Sequence, residues 1–109
     1  MSTIIRGTTP TLTFNVKNEQ MDLTNVAEVW ITFKTKAGVK PKEKTYDIND
    51  VTIDAVEKTI TLSLSQEDTL YFADEKMLVQ VRLRMSDDMA YASAIIETSI
   101  GQILKDGVI

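Results

Sequence analysis

Hydrophobic and polar residues alternate along most of the chain with a period of two, the mark of strands with one buried face. Behind Pro10, Leu12, Phe14 and Val16 alternate with Thr11, Thr13, Asn15 and Lys17. Val29, Ile31 and Phe33 repeat the pattern against Trp30, Thr32 and Lys34. Val51 and Ile53 predict a short strand, and Ile60, Leu62 and Leu64 another, with Thr59, Thr61 and Ser63 outward. The longest run sets Met77, Val79, Val81, Leu83 and Met85 against Leu78, Gln80, Arg82 and Arg84. Residues 86–89 turn the chain, and Ala92, Ala94, Ile96, Thr98 and Ile100 return as far as Gly101. Turn chemistry falls between these runs: residues 18–20, the Asx-type stretch 22–25, Ala37-Gly38, residues 54–58 and Asp106-Gly107. One helical turn is expected over residues 65–72. There Ser65 supplies a cap, Glu67 and Asp68 sit where the helix dipole favours acids, and Leu70 and Phe72 cover one end of the core.

About seven strands with turns every 8–12 residues or so predict an all-β, antiparallel sandwich, with a small barrel as the other closure. No helical period supplies the crossovers of a parallel sheet. Thr, Ile and Val total 34 of 109 residues, which suits a pleated sheet. At this length the chain is expected to be one domain over residues 1–109. The expected core contains Phe14, Ile31, Phe33, Leu62, Val81 and Ile96.

Composition narrows the chemistry. The chain has no Cys and no His, which removes disulfides, thiolates, imidazole bases and most transition-metal sites. Gly occurs only at positions 7, 38, 101 and 107, in no phosphate-cradling pattern, and neither G-x-S-x-G nor S-x-x-K is present. A non-enzymatic protein without cofactor is the expectation. The net charge of −4 offers nucleic acid no general attraction, and no apolar run approaches the ~20 residues of a membrane span. The N-terminus lacks the pattern of a signal peptide, so synthesis in the cytoplasm is expected.

Five features remain as candidates. Asp47, Asn49, Asp50 and Asp54 crowd one loop and have calcium's preferred oxygen ligands, though the order departs from an EF-hand; the plainer reading is a polar connection. Lys34, Lys36, Lys40, Lys42 and Lys44 form the one basic run, which reads as an edge-strand guard in preference to a nucleic-acid patch. Alternation points Trp30 outward, and Tyr91 likewise, on a face shared with Leu78 and Ile95; a partner, or the chain's own tail, would cover such a surface. Trp30 with Tyr46 offers a thinner possibility, a glycan platform. Both ends are apolar, with Ile4-Ile5 at one and Ile103-Leu104 and Val108-Ile109 at the other, so docking on this chain or on another subunit is expected. The candidate interaction residues are therefore Ile4, Ile5, Trp30, Leu78, Tyr91, Ile95, Val108 and Ile109.

The stretch Ile5-Arg6-Gly7-Thr8-Thr9-Pro10-Thr11-Leu12-Thr13-Phe14, followed by Asp22-Leu23-Thr24 and a strand ending in Phe33-Lys34, resembles small structural proteins of phages and prophages of Gram-positive bacteria. In particular it is similar to the immunoglobulin-like N-terminal module of the upper baseplate protein family, with Thr8 where that family often has Asp. Residues 62–70 and the closing Leu104-Lys105-Asp106-Gly107-Val108-Ile109 share the likeness. The resemblance implies an immunoglobulin-like sandwich that assembles through protein–protein contacts, with itself or with other phage structural proteins, and carries no catalytic residue or cofactor. It also implies a protein made in a bacterial host and carried into a particle. The alternatives are a soluble module binding a glycan or calcium through its loops, and a small phage-encoded inhibitor of a host protein.

Overall fold

The computed structural model describes residues 3–17, 21–36, 42–72 and 76–109. The expected turns at residues 18–20 and at Ala37-Gly38, together with Lys40, lie outside the described residues. The fold is mostly β, and its strands form two sheets. The larger has six strands: β1 (Ile4–Ile5), β3 (Val26–Thr35), β4 (Glu43–Asp47), β7 (Lys76–Met85), β8 (Ala90–Ala92) and β9 (Ile96–Gly101). They run in the order β1-β9-β7-β3-β4, with β8 also on β7. The smaller sheet is β2-β6-β5, from β2 (Thr11–Asn15), β5 (Val51–Asp54) and β6 (Thr59–Ser63). All pairings are antiparallel except β1 with β9, where Ile4 lies beside Ile100 and Ile5 beside Gly101. The described strands number nine where the pattern predicts about seven, since β1, β4 and β8 are too short or too polar to show alternation.

The inner faces of both sheets enclose one core. Phe14, Ile60 and Leu62 from the smaller sheet meet Val29, Ile31, Phe33, Val79, Val81 and Leu83 from the larger. Alternation places these side chains correctly because it sets the face of every residue in a regular strand. Of the expected core, Phe14, Ile31, Phe33, Leu62 and Val81 are buried, while Ile96 is half-buried at the rim. The helix α1 (Gln66–Tyr71) forms where expected. Ser65 accepts from the Asp68 N–H, Asp68 accepts from the Ser65 N–H, and the two close a capping box. Phe72 follows it, fully buried and stacked on Phe33 at 5.1 Å between ring centroids. Asp22 caps a single 3-10 turn, Leu23–Asn25, as its Asx chemistry predicts.

Between β8 and β9 the register on β7 shifts by one residue. Leu83 faces Tyr91, but Val79 faces Ile96, which leaves one extra residue on the returning strand. Ser93 fills the break: its N–H donates to the Val81 carbonyl at 2.8 Å, and its hydroxyl oxygen accepts from the Val81 N–H at 3.0 Å. A bulge of this kind reverses which side chains face inward beyond it. Tyr91, expected to point outward, instead lies on the inner face against the core, and Ala92 turns outward opposite Arg82.

Candidate interaction surface

The two flanks between the sheets differ. At one, β4 runs through a 3-10 turn (Ile48–Asp50) directly into β5, and α1 leans against the same edge. Lys44 reaches Asp68 at 3.4 Å, its ammonium 5.8 Å from the Tyr46 ring, and Lys42 lies over the Tyr71 ring at 5.0 Å. The Tyr46 hydroxyl is buried beside Asp68 without a well-formed hydrogen bond among the described residues. Burial first, and the Asp68 carboxylate second, push its pKa well above the ordinary tyrosine value.

At the opposite flank, β2 and the β8–β9 bulge stand apart. A cleft of about 630 Å³ opens between them, lined among others by Phe14, Val16, Ile60, Val81, Leu83 and Tyr91. Phe14 (9%), Val81 (8%), Met21 (7%) and Leu83 (7%), among the most exposed members of the core, all line this cleft. Among the described residues Lys17 is the one charged member of its wall; Thr13, Asn15 and Ser93 supply the polar rim.

The expected interaction residues separate into three groups. Ile4 is buried and Ile5 half-exposed, both in β1 alongside β9, so the N-terminal end docks on this chain's own sheet and Ile4 offers nothing to a partner. Trp30 points outward as expected, 43% exposed, but directly between Arg82 and Asp47 on the neighbouring strands. Leu78 shares that outer face opposite Lys34 and Glu97, two ranks further along. Glu97 there pairs with Lys36 at 2.7 Å and Lys76 at 3.1 Å, which holds its pKa below the usual carboxylate value. Trp30, Leu78 and the exposed Ile95 therefore do not fuse into one apolar patch. At the other end, Val108 and Ile109 are exposed, and the tail returns to α1, where Gln66 donates to the Ile109 carbonyl and accepts from its N–H. The tail thus lies at α1 and not over Trp30.

Arg6 fastens this end. Its guanidinium donates to the Leu70 carbonyl at 3.1 Å and to Gln102 at 3.4 Å, and lies 3.9 Å from Asp106. Gly7 beside it has φ +75°, with Ile103 and Leu70 close enough to crowd any added Cβ.

The acidic loop is committed to local structure. Asp47 accepts from the Asn49 N–H, Asp50 accepts from the Asp47 N–H, and Asp54 accepts from Val56 and Glu57. Among the described residues no group of three or more acidic side chains could hold a metal ion. No described helix is long and apolar enough to cross a membrane.

Residue alternation missed the open flank. The signals it carried were an uncharged Thr-Leu-Thr-Phe-Asn run and Ser93 within the otherwise apolar residues 90–96, and neither shows a cleft until the two sheets are paired. Compared with known proteins, the chain matches no family model and no curated protein.

Proposed function

We propose that this chain is a non-enzymatic structural module, an immunoglobulin-like sandwich that works through protein–protein contacts in a phage or prophage tail or baseplate. The observation that carries the reading is the apolar cleft that opens on one flank of the shared core, lined by Phe14, Val16, Ile60, Val81, Leu83 and Tyr91. A contiguous apolar surface of this kind usually meets another chain. The likeness of the N-terminal run, the Asp22-Leu23-Thr24 turn and the C-terminal residues to phage structural proteins supplies the setting. Two sheets sharing one core support the sandwich, and the largely antiparallel pairing agrees with it.

Mass spectrometry of purified particles, or of tail assembly intermediates, from the phage or prophage that encodes the chain tests this reading. The protein is expected there in stoichiometric amount. Its absence from both would overturn the reading, and saturable binding in a calcium titration or on a glycan array would favour a ligand-binding module instead.

A further inference from the structure

The hydrogen bonds at the two ends of β2 show which of its backbone groups are free. The Leu64 N–H donates to the Pro10 carbonyl at 2.9 Å, and the Val16 N–H to the Lys58 carbonyl at 2.8 Å. In an antiparallel ladder bonded residues alternate, so Pro10, Leu12, Phe14 and Val16 face β6. The N–H and C=O groups of Thr11, Thr13 and Asn15 then point toward the open flank. All three residues are exposed, and β6 is the only described strand paired with β2.

Natural sheets blunt such edges, because a bare strand recruits another chain. The other edges here carry recognisable guards. β1 has two residues and β8 three, the latter ending at the bulge. On β4, the Tyr71 hydroxyl donates to the Glu43 carbonyl at 3.4 Å, the Asp50 carboxylate takes the Asp47 N–H at 3.0 Å, and Lys44 points inward toward Asp68. β5 has four residues and ends in Asp54, whose carboxylate closes the following turn. β2, by contrast, presents five uncharged residues without Gly, Pro or bulge.

We propose that β2 pairs with β2 of a second copy of this chain, antiparallel about a two-fold axis at Thr13, so that two three-stranded sheets become one. This deepens the reading of the chain as an assembly module by naming one of its partners. The sequence of the strand is self-complementary in that register. Thr13 faces Thr13 and Thr11 faces Asn15. On the inner face Leu12 meets the second copy's Phe14, and Val16 meets its Pro10. Lys17 falls opposite the second copy's Thr9, so no like charges oppose one another. The pairing forms about six backbone hydrogen bonds, two for each bonded pair. It also covers the rim of the cleft at Val16, which is half-buried there. A five-residue strand pair lies at the small end of specific interfaces, about 1,200 Å² or less in total, so the dimer should dissociate on dilution.

Light scattering across a micromolar concentration series tests the pairing. The wild type should rise from 12.2 kDa toward twice that mass. Thr13→Pro removes an N–H that β6 does not use, a place where an edge strand tolerates proline, and Thr13→Asp sets two carboxylates against each other across the axis. Both variants should stay monomeric at every concentration with an unchanged circular dichroism spectrum, whereas Thr45→Asp on β4 should dimerise as wild type. If Thr13→Pro fails to fold, Thr13→Asp carries the test. A wild type that stays monomeric at high micromolar concentration overturns the pairing, as does a dimer that survives both Thr13 variants. Neither result bears on the phage-structural reading, which depends on the composition of the particle.

Discussion

Leu62→Ala probes the join between the two sheets. Leu62 is 1% exposed on β6, the central strand of its sheet, with Leu12 directly opposite on one side and Val51 on the other. Truncation removes buried apolar surface and leaves a cavity, a loss of about 2–5 kcal/mol for a buried leucine. The position within that range depends on how far the neighbours collapse. Leu12 and Val51 are half-buried on edge strands and free to lean in, so the cost belongs in the lower half, about 2–3 kcal/mol. Ile31 provides the contrast. It is fully buried in β3, held between Val81 and Tyr46, both buried, so Ile31→Ala should cost about 4 kcal/mol. In urea unfolding, with a slope of roughly 1.5 kcal/mol/M, Leu62→Ala should move the midpoint by about 1.3–2 M. A loss below about 1 kcal/mol at Leu62, or a larger loss there than at Ile31, would refute the assignment of inner faces and edges.

Three further outcomes follow from single residues. Tyr46→Phe should keep or raise stability, by up to about 1–2 kcal/mol, because the hydroxyl it deletes is buried without a well-formed hydrogen bond among the described residues. The raised Tyr46 pKa means stability is complete below the ordinary value of 10.0 and falls as pH rises above it, and in chemical denaturation Tyr46→Phe should flatten that alkaline loss. Glu97 has the opposite sign: its lowered pKa contributes stability above pH 4.5 that is lost as pH falls through the folded value, so Glu97→Gln should flatten the acid limb of Tm against pH. Gly7→Ala, at φ +75° with Ile103 alongside, should cost roughly 1–2 kcal/mol in thermal unfolding and expose the tail to limited proteolysis.

Much of the fold is legible in local pattern. Strict alternation in β2, β3, β6 and β7 gives both the strands and their inner faces, and Ser65 with Asp68 marks the helix start through capping chemistry. What escapes is set by contacts distant in sequence. Ile4 is buried because β1 reaches a strand at the other end of the chain, and two residues carry no period. Tyr91 turns inward because Ser93 replaces a ladder group with its own hydroxyl, which reverses parity in one step. Trp30 lies on the expected face, yet the charged neighbours Arg82 and Asp47 come from other strands, so its surroundings depend on register. The candidate edge is hidden for the same reason: β2 reads like any half-buried strand until its neighbours are known.

Amide hydrogen exchange on β2 is the most direct measurement of whether this flank is a contact surface. The N–H groups of Thr11, Thr13 and Asn15 face away from β6, so each should exchange rapidly in dilute protein and become protected as concentration rises into the dimer range. Leu12, Phe14 and Val16, bonded to β6, should be protected throughout. Rapid exchange at Thr11, Thr13 and Asn15 at every concentration would contradict the account.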